Sequence, residues 1–323
     1  MMKTPALLPA LVLLLPALSC AEPLARVTFI PQWVPQAQFA GYYVACDKGI
    51  YARHGLDVTV LRGGPESPPS ELLERGAAHF GTMFLTTGII KRASGVPVVN
   101  IAQVVQRSSF MLVAKKSSGI LKPADMNNRT VGVWGPEFQA LAGIFFRRHG
   151  LSVTTVPQSA TLNLFFMDGV AVASAMLYNE YHTMLNAGYD PEELSVFSFH
   201  DLGIDVPEDG IYCLEATYRT DPERCRRFAS ASLEGWTYAF DHPEEALDIV
   251  LRHASAAHVA TNRVHQRWML HRMRDLIAPP GSRLAPGILS ETAFADVVAE
   301  LRTGGLIGST PAFSEFFVGC RLP

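Results

Sequence analysis

Strand patterns and helix patterns alternate along most of this sequence, and this alternation limits the fold more than any other feature. Val27–Ile30 and Leu56–Leu61 are short runs typical of strands, and residues 36–53 between them have a helical period. Alternation of this kind is typical of proteins in which helices cover a largely parallel sheet. With 323 residues, 48% of them hydrophobic, the chain can bury the core of such a fold. We therefore expect an α/β architecture.

A polar segment, Lys115–Gly119, interrupts the alternation, and a second series of strands and helices follows it. Apolar strand patterns near 110–116 and 210–216 flank this second series. We predict two lobes joined by two crossing strands, a hinge that closes around a ligand in the cleft. The predicted boundaries are 26–114 with 213–323 for lobe one and 115–212 for lobe two.

The first residues of the chain have the order of a secretory signal peptide. A single lysine precedes the apolar run Ala6–Leu18, and small residues follow it. The run is shorter than the ~20 residues of a membrane-spanning helix. We predict a signal peptide over residues 1–21, with cleavage after Ala21. Residues 17–20 also resemble a bacterial lipoprotein box, in which Cys20 would be lipidated and form a lipid anchor. Either alternative places the protein in the periplasm or cell envelope.

Charge and motifs argue against several functions. Lys and Arg (27) nearly balance Asp and Glu (30) and are mixed along the chain, so nucleic acid is a poor partner. The sequence lacks the glycine-rich phosphate-binding motifs, the zinc-protease motif and the serine-hydrolase motif. Its five cysteines form no CxxC pair and leave the disulfide state open. We predict no metal, no cofactor and no catalytic residue.

Aromatic and polar side chains cluster where predicted strands meet predicted helices, which is where α/β folds place ligands. Aromatic faces with a few hydrogen-bonding groups suit a small, flat, polar heterocycle, and a sugar or a peptide would fit the same reasoning. Inorganic anions are disfavoured, because no Lys or Arg joins the clusters. The predicted ligand-binding residues are Trp33, Gln38, Phe39 and Phe84 in lobe one, and Trp134, Glu137, Tyr178, Asn179 and Glu180 in lobe two.

Several of these residues also have a purely structural interpretation. Phe39 has the helical spacing of a core residue. Glu137 and Glu180 could complement the dipoles of the helices that they begin, and Asn179 could cap one of them.

Short segments spread from about Val27 to Phe317 form a recognisable pattern. They are Trp33–Ala45, Asp47–Tyr51, Gly55–Val58, Gly95–Val98, Thr130–Trp134, Tyr178–Tyr181, Asp209–Ile211 and Thr261–Arg263. Together they resemble the periplasmic substrate-binding proteins related to fungal thiamine pyrimidine synthase. The resemblance implies a type-two periplasmic binding protein fold and the membrane subunits of an ABC importer as partners. It also implies a ligand such as formylaminopyrimidine, a thiamine pyrimidine precursor, or riboflavin.

The synthase branch of this family is the alternative. The resemblance implies that such an enzyme makes the pyrimidine from pyridoxal phosphate, held by a lysine, and from a histidine of its own chain four residues later. In this chain Met83 and Thr87 stand at those two positions, and the family's cysteine-rich run has no counterpart around Cys213. A methionine cannot form a Schiff base and a threonine has no imidazole. We therefore expect a binding protein that is not an enzyme.

Overall fold

Two mixed five-stranded sheets with helices around them make up this computed structural model, which describes residues 23–282 and 284–319. The predicted α/β architecture is confirmed. The predicted signal peptide, with Cys20, lies outside the described residues. Among the helices within the described ranges, none is both long and apolar enough to cross a membrane. The cysteines within these ranges, all present as thiols, are Cys46, Cys213 and Cys225.

The first sheet has the strand order β2-β1-β3-β10-β4 and the second has the order β7-β6-β8-β5-β9. The strands are β1 (Ala25–Ile30), β2 (Leu56–Val60), β3 (Phe80–Phe84), β4 (Val98–Gln103), β5 (Phe110–Lys115), β6 (Thr130–Val133), β7 (Thr154–Pro157), β8 (Val172–Met176), β9 (Leu194–Ser198) and β10 (Asp209–Leu214). In each sheet the first three strands are parallel, and an antiparallel strand, β10 or β5, follows them. Below, lobe one means the first sheet with its helices, and lobe two means the second.

The helices cover both sheets, and those after β10 extend lobe one. They are α1 (Ala40–Asp47), α2 (Ile50–Arg53), α3 (Pro69–Glu74), α4 (Leu85–Ala93), α5 (Pro136–Arg148), α6 (Asn163–Phe166), α7 (Glu180–Asn186), α8 (Glu215–Thr220), α9 (Pro222–Asp241), α10 (Pro243–Ala256), α11 (Arg263–Ile277), α12 (Glu291–Thr303) and α13 (Phe313–Phe316). Strands β4 and β8 are buried along their whole length, because helices cover both faces of each sheet.

The chain passes between the sheets in residues 104–109 and 199–208. Strand β5 pairs along its length with β8 and β9, and β10 pairs with β3 and β4. The passages therefore lie just before the strands at 110–116 and 210–216 for which we predicted this role. An apolar strand pattern shows that a segment is a buried strand, but it does not show which sheet the strand joins. The exact division into lobes stays a prediction.

Helix α9 occupies the centre of lobe one. It begins with Asp221, whose carboxylate accepts the backbone N–H three residues later at 2.8 Å, and Pro222 takes the first helical position. Its buried Phe228 stacks on Phe80 of β3, with ring centroids 4.3 Å apart. This core fixes the sheet edge at which the candidate site lies.

Glycines allow α1 and α9 to approach closely. A Cβ atom added to Gly235 of α9 would lie 2.2 Å from the carbonyl oxygen of Gly41 in α1. A Cβ atom added to Gly41 would lie 2.4 Å from the Trp236 ring. Both distances are far shorter than van der Waals contact, so this helix pair requires glycine at both positions.

Candidate functional site

Gln38 lies at the cleft edge of lobe one, in a short 3₁₀ turn just before α1. Its side chain is buried, and both ends of the amide have partners. Nε2 donates to the Asp209 carboxylate at 2.8 Å, and Oε1 accepts from Gln36 Nε2 at 2.7 Å. Full pairing is what a buried amide requires. Gln38 is therefore held by Gln36 and Asp209 in this conformation, and its contact with a ligand stays a prediction.

Phe39 and Trp33 both contact the core of lobe one in this conformation. Phe39 is completely buried among the core residues of lobe one, so it presents no surface to a ligand. Its helical spacing indicated this alternative. Trp33 is partly buried and packs against the same core. Among the described residues it makes no ring contact with another aromatic side chain.

An aromatic group connects the two lobes. Phe84, at the end of β3, meets Phe138 of α5 edge to face, with ring centroids 5.1 Å apart. Phe138 in turn contacts Trp134 at 4.9 Å and Phe110 at 5.5 Å. The Trp134 indole N–H donates to the backbone carbonyl of Ser159 at 3.0 Å, which holds the half-buried ring in place. Two of the predicted residues, Phe84 and Trp134, thus belong to one group.

Phe138 and Phe110 also belong to this group, and neither is among the predicted ligand-binding residues. Phe138 lies in the first turn of α5, close to the predicted Trp134, so its position beside a predicted site residue was a usable signal. Phe110 begins a strand that reads as core. The side chain of Glu137 lies outside the described part of the structure.

Glu180 begins α7, directly after the buried strand β8. One carboxylate oxygen accepts the Met176 backbone N–H at 3.0 Å, and the other accepts from Asn179 Nδ2 at 2.7 Å. Burial raises the pKa of Glu180 to about 7, although these hydrogen bonds act in the opposite direction. Asn179 makes no capping bond to α7. Its Oδ1 instead lies 2.8 Å from His265 Nε2 in lobe one.

Tyr178 joins the polar residues of the two lobes. Its side chain is buried, and it lies close to the Gln38 side chain of lobe one. Burial raises the pKa of Tyr178, and the negative charges of Asp209, Glu208 and Glu180 raise it further. The nearby Gln38 amide acts on this pKa in the opposite direction. The structure therefore brings together Gln38, Tyr178 and Glu180, which the sequence could place only one by one.

A histidine pair forms a second contact between the lobes. His182 of α7 and His265 of α11 approach with their Nδ1 atoms 2.9 Å apart. Trp268 of α11 stacks on His182 at 4.8 Å and donates its indole N–H to the Leu177 carbonyl at 2.9 Å. Burial lowers the pKa of both histidines. His265 lies six residues from His271 on α11, a spacing that puts them on different faces of the helix, so the sequence alone does not mark His265 as a site residue.

Two adjacent buried carboxylates end the second passage between the lobes. Glu208 accepts from the Ser109 backbone N–H at 2.6 Å and from the Ser109 hydroxyl at 2.8 Å. Asp209 accepts from Gln32 Nε2 at 2.6 Å and from Gln38 Nε2 at 2.8 Å. Burial raises the pKa of Glu208 to about 8, with a further contribution from Asp209, and burial raises the pKa of Asp209 to about 6.

These two carboxylates were also missed from the sequence as site residues. Their one signal was the segment Asp209–Ile211, which forms part of the family pattern. The main influences on Glu180, Glu208 and Asp209 are burial, neighbouring acids and hydrogen-bond donors rather than Lys or Arg. Within the described ranges, no cluster of His, Cys, Asp and Glu has the composition of a metal site. The cleft therefore favours ligands with N–H donors over anions.

Two mixed sheets with helices around them, linked by two passages of the chain, form a periplasmic binding protein fold. The periplasmic aliphatic sulphonate-binding protein SsuA from Escherichia coli superimposes with a TM-score of 0.70 over 92% of this chain and 94% of that protein, at 11% identity. The ligand-binding component of an ABC-type import system from Staphylococcus aureus superimposes with a TM-score of 0.65 over 91% of this chain and 97% of its own, at 8% identity. At such identities the likeness shows the fold alone.

The chain belongs to the NMT1/THI5-like family, whose model matches residues 36–246. It is 30% identical to the riboflavin-binding protein RibY of Chloroflexus aurantiacus, over 73% of this chain and 69% of that protein. It is 26% identical to a formylaminopyrimidine-binding protein of Halalkalibacterium halodurans, over 73% of each chain. A 4-amino-5-hydroxymethyl-2-methylpyrimidine phosphate synthase of Legionella pneumophila is 24% identical over 70% of this chain and 73% of its own. The two binding proteins among these relatives support a solute-binding role.

Proposed function

We propose that this protein is the solute-binding component of an ABC importer and that its cleft holds a small aromatic heterocycle, either a thiamine pyrimidine precursor or riboflavin. The observation that carries the proposal is the arrangement at the lobe boundary. Phe84 of the aromatic group pairs in register with Asp209. Besides burial, the charges of Asp209 and Glu180 both raise the pKa of Tyr178. The relatives RibY and formylaminopyrimidine-binding protein support the ligand class.

Each part of the site has a role in this proposal. Phe84 and Trp134 offer ring faces, and an aromatic stack contributes about 0.5–1.5 kcal/mol beyond buried area. Glu180 accepts hydrogen bonds from ring and amino N–H groups, and a bond to a charged group contributes about 1.5–3 kcal/mol. Gln38 and Tyr178 add polar contacts from opposite lobes. The heterocycle is bound without covalent chemistry.

Closure of the lobes delivers the ligand to the importer. The contacts of His265 in lobe one with His182 and Asn179 in lobe two require the lobes to meet, so they stabilise the closed form. The importer's membrane subunits then recognise the closed protein and release its ligand by separating the lobes. Export through the predicted signal peptide, with or without a lipid on Cys20, would bring the protein to this partner.

The rival function is a synthase, because family relatives carry that name. Two residues argue against it. Met83 is buried within β3 at the position expected for the cofactor lysine, and Thr87 of α4 replaces the histidine. Neither side chain supplies the required nitrogen. The binding proteins among the relatives support the same conclusion.

Glu180→Gln tests the proposed site, and exposed Glu192→Gln provides a matched control. Riboflavin, formylaminopyrimidine and thiamine are first screened by thermal shift, since a specific ligand raises apparent stability. For the ligand that binds, Glu180→Gln should raise Kd about tenfold or more, because one charged acceptor is lost. Glu192→Gln should leave Kd unchanged. If all three compounds leave the midpoint unchanged, the proposal is wrong.

The alternative synthase function is tested on the same purified protein. The protein is incubated with pyridoxal phosphate and borohydride and then analysed by mass spectrometry. A binding protein should remain unmodified, whereas a trapped lysine adduct, or loss of one of the protein's own histidines during turnover, would support the synthase.

A further inference from the structure

Asp209 holds two glutamines at the edge of the cleft. It begins β10 and pairs in register with Phe84 at the end of β3, so it lies beside the aromatic group. Its side chain is only 4% exposed. One carboxylate oxygen accepts from Gln32 Nε2 at 2.6 Å, and the other accepts from Gln38 Nε2 at 2.8 Å. Both donors come from the loop between β1 and α1.

A carboxylate that only accepts hydrogen bonds decides how these amides are oriented. A glutamine amide can present either its N–H₂ or its carbonyl end, and an ionised carboxylate pairs only with the former. Asp209 therefore turns Nε2 of both glutamines towards itself. The bond from Gln36 Nε2 to Gln38 Oε1, at 2.7 Å, requires the same orientation. The carbonyl end of Gln32 is then turned away from Asp209, where it can accept a hydrogen bond.

Resting on the proposed function, we infer that Asp209 is a positioning residue of the ligand site, which selects heterocycles with an N–H edge by fixing the amides of Gln32 and Gln38. In this arrangement Gln32 offers a carbonyl oxygen from lobe one, and Glu180 offers a carboxylate from lobe two. Two acceptors suit a ring that presents two donors, such as an aminopyrimidine or the uracil-like edge of a flavin. Asp209 acts through the amides, whose orientation it sets.

The surroundings of Asp209 determine how pH affects this role. The titratable groups that face it are Glu208 on the same strand, Tyr42 of α1, Tyr178 of lobe two and Tyr212 of β10. Burial raises the pKa of Asp209 to about 6. Below this pH the protonated acid can no longer accept from both amides. Ligand affinity should therefore fall as pH decreases through 6.

Asp209→Asn tests the inference directly. The asparagine side chain has one acceptor oxygen and one N–H₂ group, so it cannot accept from both glutamines, and one amide must turn. We expect Kd for the heterocycle identified in the screen to rise about tenfold, and the fall in affinity through pH 6 to disappear. Glu192→Gln, the exposed control used above, changes a carboxylate outside this group and should alter Kd less than about twofold.

A double-mutant cycle separates positioning from a general structural effect. In a background with both Gln32→Met and Gln38→Met, Asp209→Asn should cause no further loss of affinity, because the residues through which it acts are gone. A loss of the same size in both backgrounds would overturn the inference. So would unchanged affinity of Asp209→Asn in the native background.

Two further measurements keep the test decisive. Methylation of the ligand's ring N–H should weaken binding to the native protein more than to Asp209→Asn, and an equal effect contradicts the selection of an N–H edge. If Asp209→Asn shows no cooperative unfolding transition, the single variants Gln32→Met and Gln38→Met replace it in the test. An unchanged Kd in both of them refutes the inference. A heterocycle that binds normally to all variants refutes only this inference, whereas no binding to the native protein refutes the proposed function.

Discussion

Replacement of Glu208 by glutamine should make the stability of the fold less dependent on pH. The Glu208 side chain is 2% exposed and accepts from the Ser109 backbone N–H at 2.6 Å and from the Phe110 N–H at 3.2 Å. These bonds tie together the two passages between the lobes. Burial, and then the charge of Asp209, raise the pKa of Glu208 from 4.5 to about 8.

The direction of the effect follows from proton binding. Between pH 4.5 and pH 8 the folded protein keeps a proton on Glu208 that the unfolded chain has lost. Because the folded state binds more protons, the free energy of unfolding falls as pH rises through this window. At ~1.36 kcal/mol for each pKa unit, the shift corresponds to at most about 5 kcal/mol. Glutamine keeps the shape and one acceptor oxygen but cannot ionise, so it removes this contribution.

Urea unfolding followed by circular dichroism at pH 5, 7 and 9 measures the effect. The free energy of unfolding of Glu208→Gln minus that of the native protein should increase by ~2–5 kcal/mol between pH 5 and pH 9. The exposed control Glu192→Gln should follow the native protein at every pH. If the free energy of unfolding depends on pH in the same way for Glu208→Gln and the native protein, the raised pKa of Glu208 is refuted.

Two other substitutions test the aromatic group and the core. Trp134→Ala should raise the Kd for the heterocycle about tenfold, measured by titration, because one stacking face is lost. The variant should still unfold cooperatively. An unchanged Kd would show that Trp134 is not part of the site. Gly235→Ala should cost about 1–3 kcal/mol in urea unfolding, because the added Cβ would lie 2.2 Å from the Gly41 carbonyl oxygen. The control is Gly308→Ala, where the added Cβ has no neighbour within 4 Å, and it should leave the free energy of unfolding nearly unchanged. An equal decrease in the free energy of unfolding for both variants would contradict the packing of α1 on α9.

Local patterns were sufficient to predict the α/β architecture and to mark part of the candidate site. The run from β8 to α7 reads as a buried strand followed by polar residues, and such a junction lies at the sheet edge where α/β folds bind ligands. Tyr178 and Glu180 could therefore be predicted to lie at this sheet edge. Phe39 is completely buried in the core in this conformation, as its helical spacing indicated, and its contact with a ligand stays a prediction.

Other features depend on contacts between distant parts of the chain. Asp209 and Gln38 are 171 residues apart, and His182 and His265 are 83 residues apart. Asp209 starts a strand and lies in no amphipathic pattern that marks its buried face. The spacing of His265 within its own helix gives no signal, because its partner His182 comes from the opposite lobe. Such pairs become visible only once both sheets are placed.

A crystal structure of the protein with its heterocycle bound tests the central claim most directly. The account predicts that the ring lies between the lobes, against Phe84 and Trp134, with its N–H edge within hydrogen-bond distance of the Glu180 carboxylate. A ligand bound on the outer surface of one lobe, or one joined covalently to the protein, would contradict it.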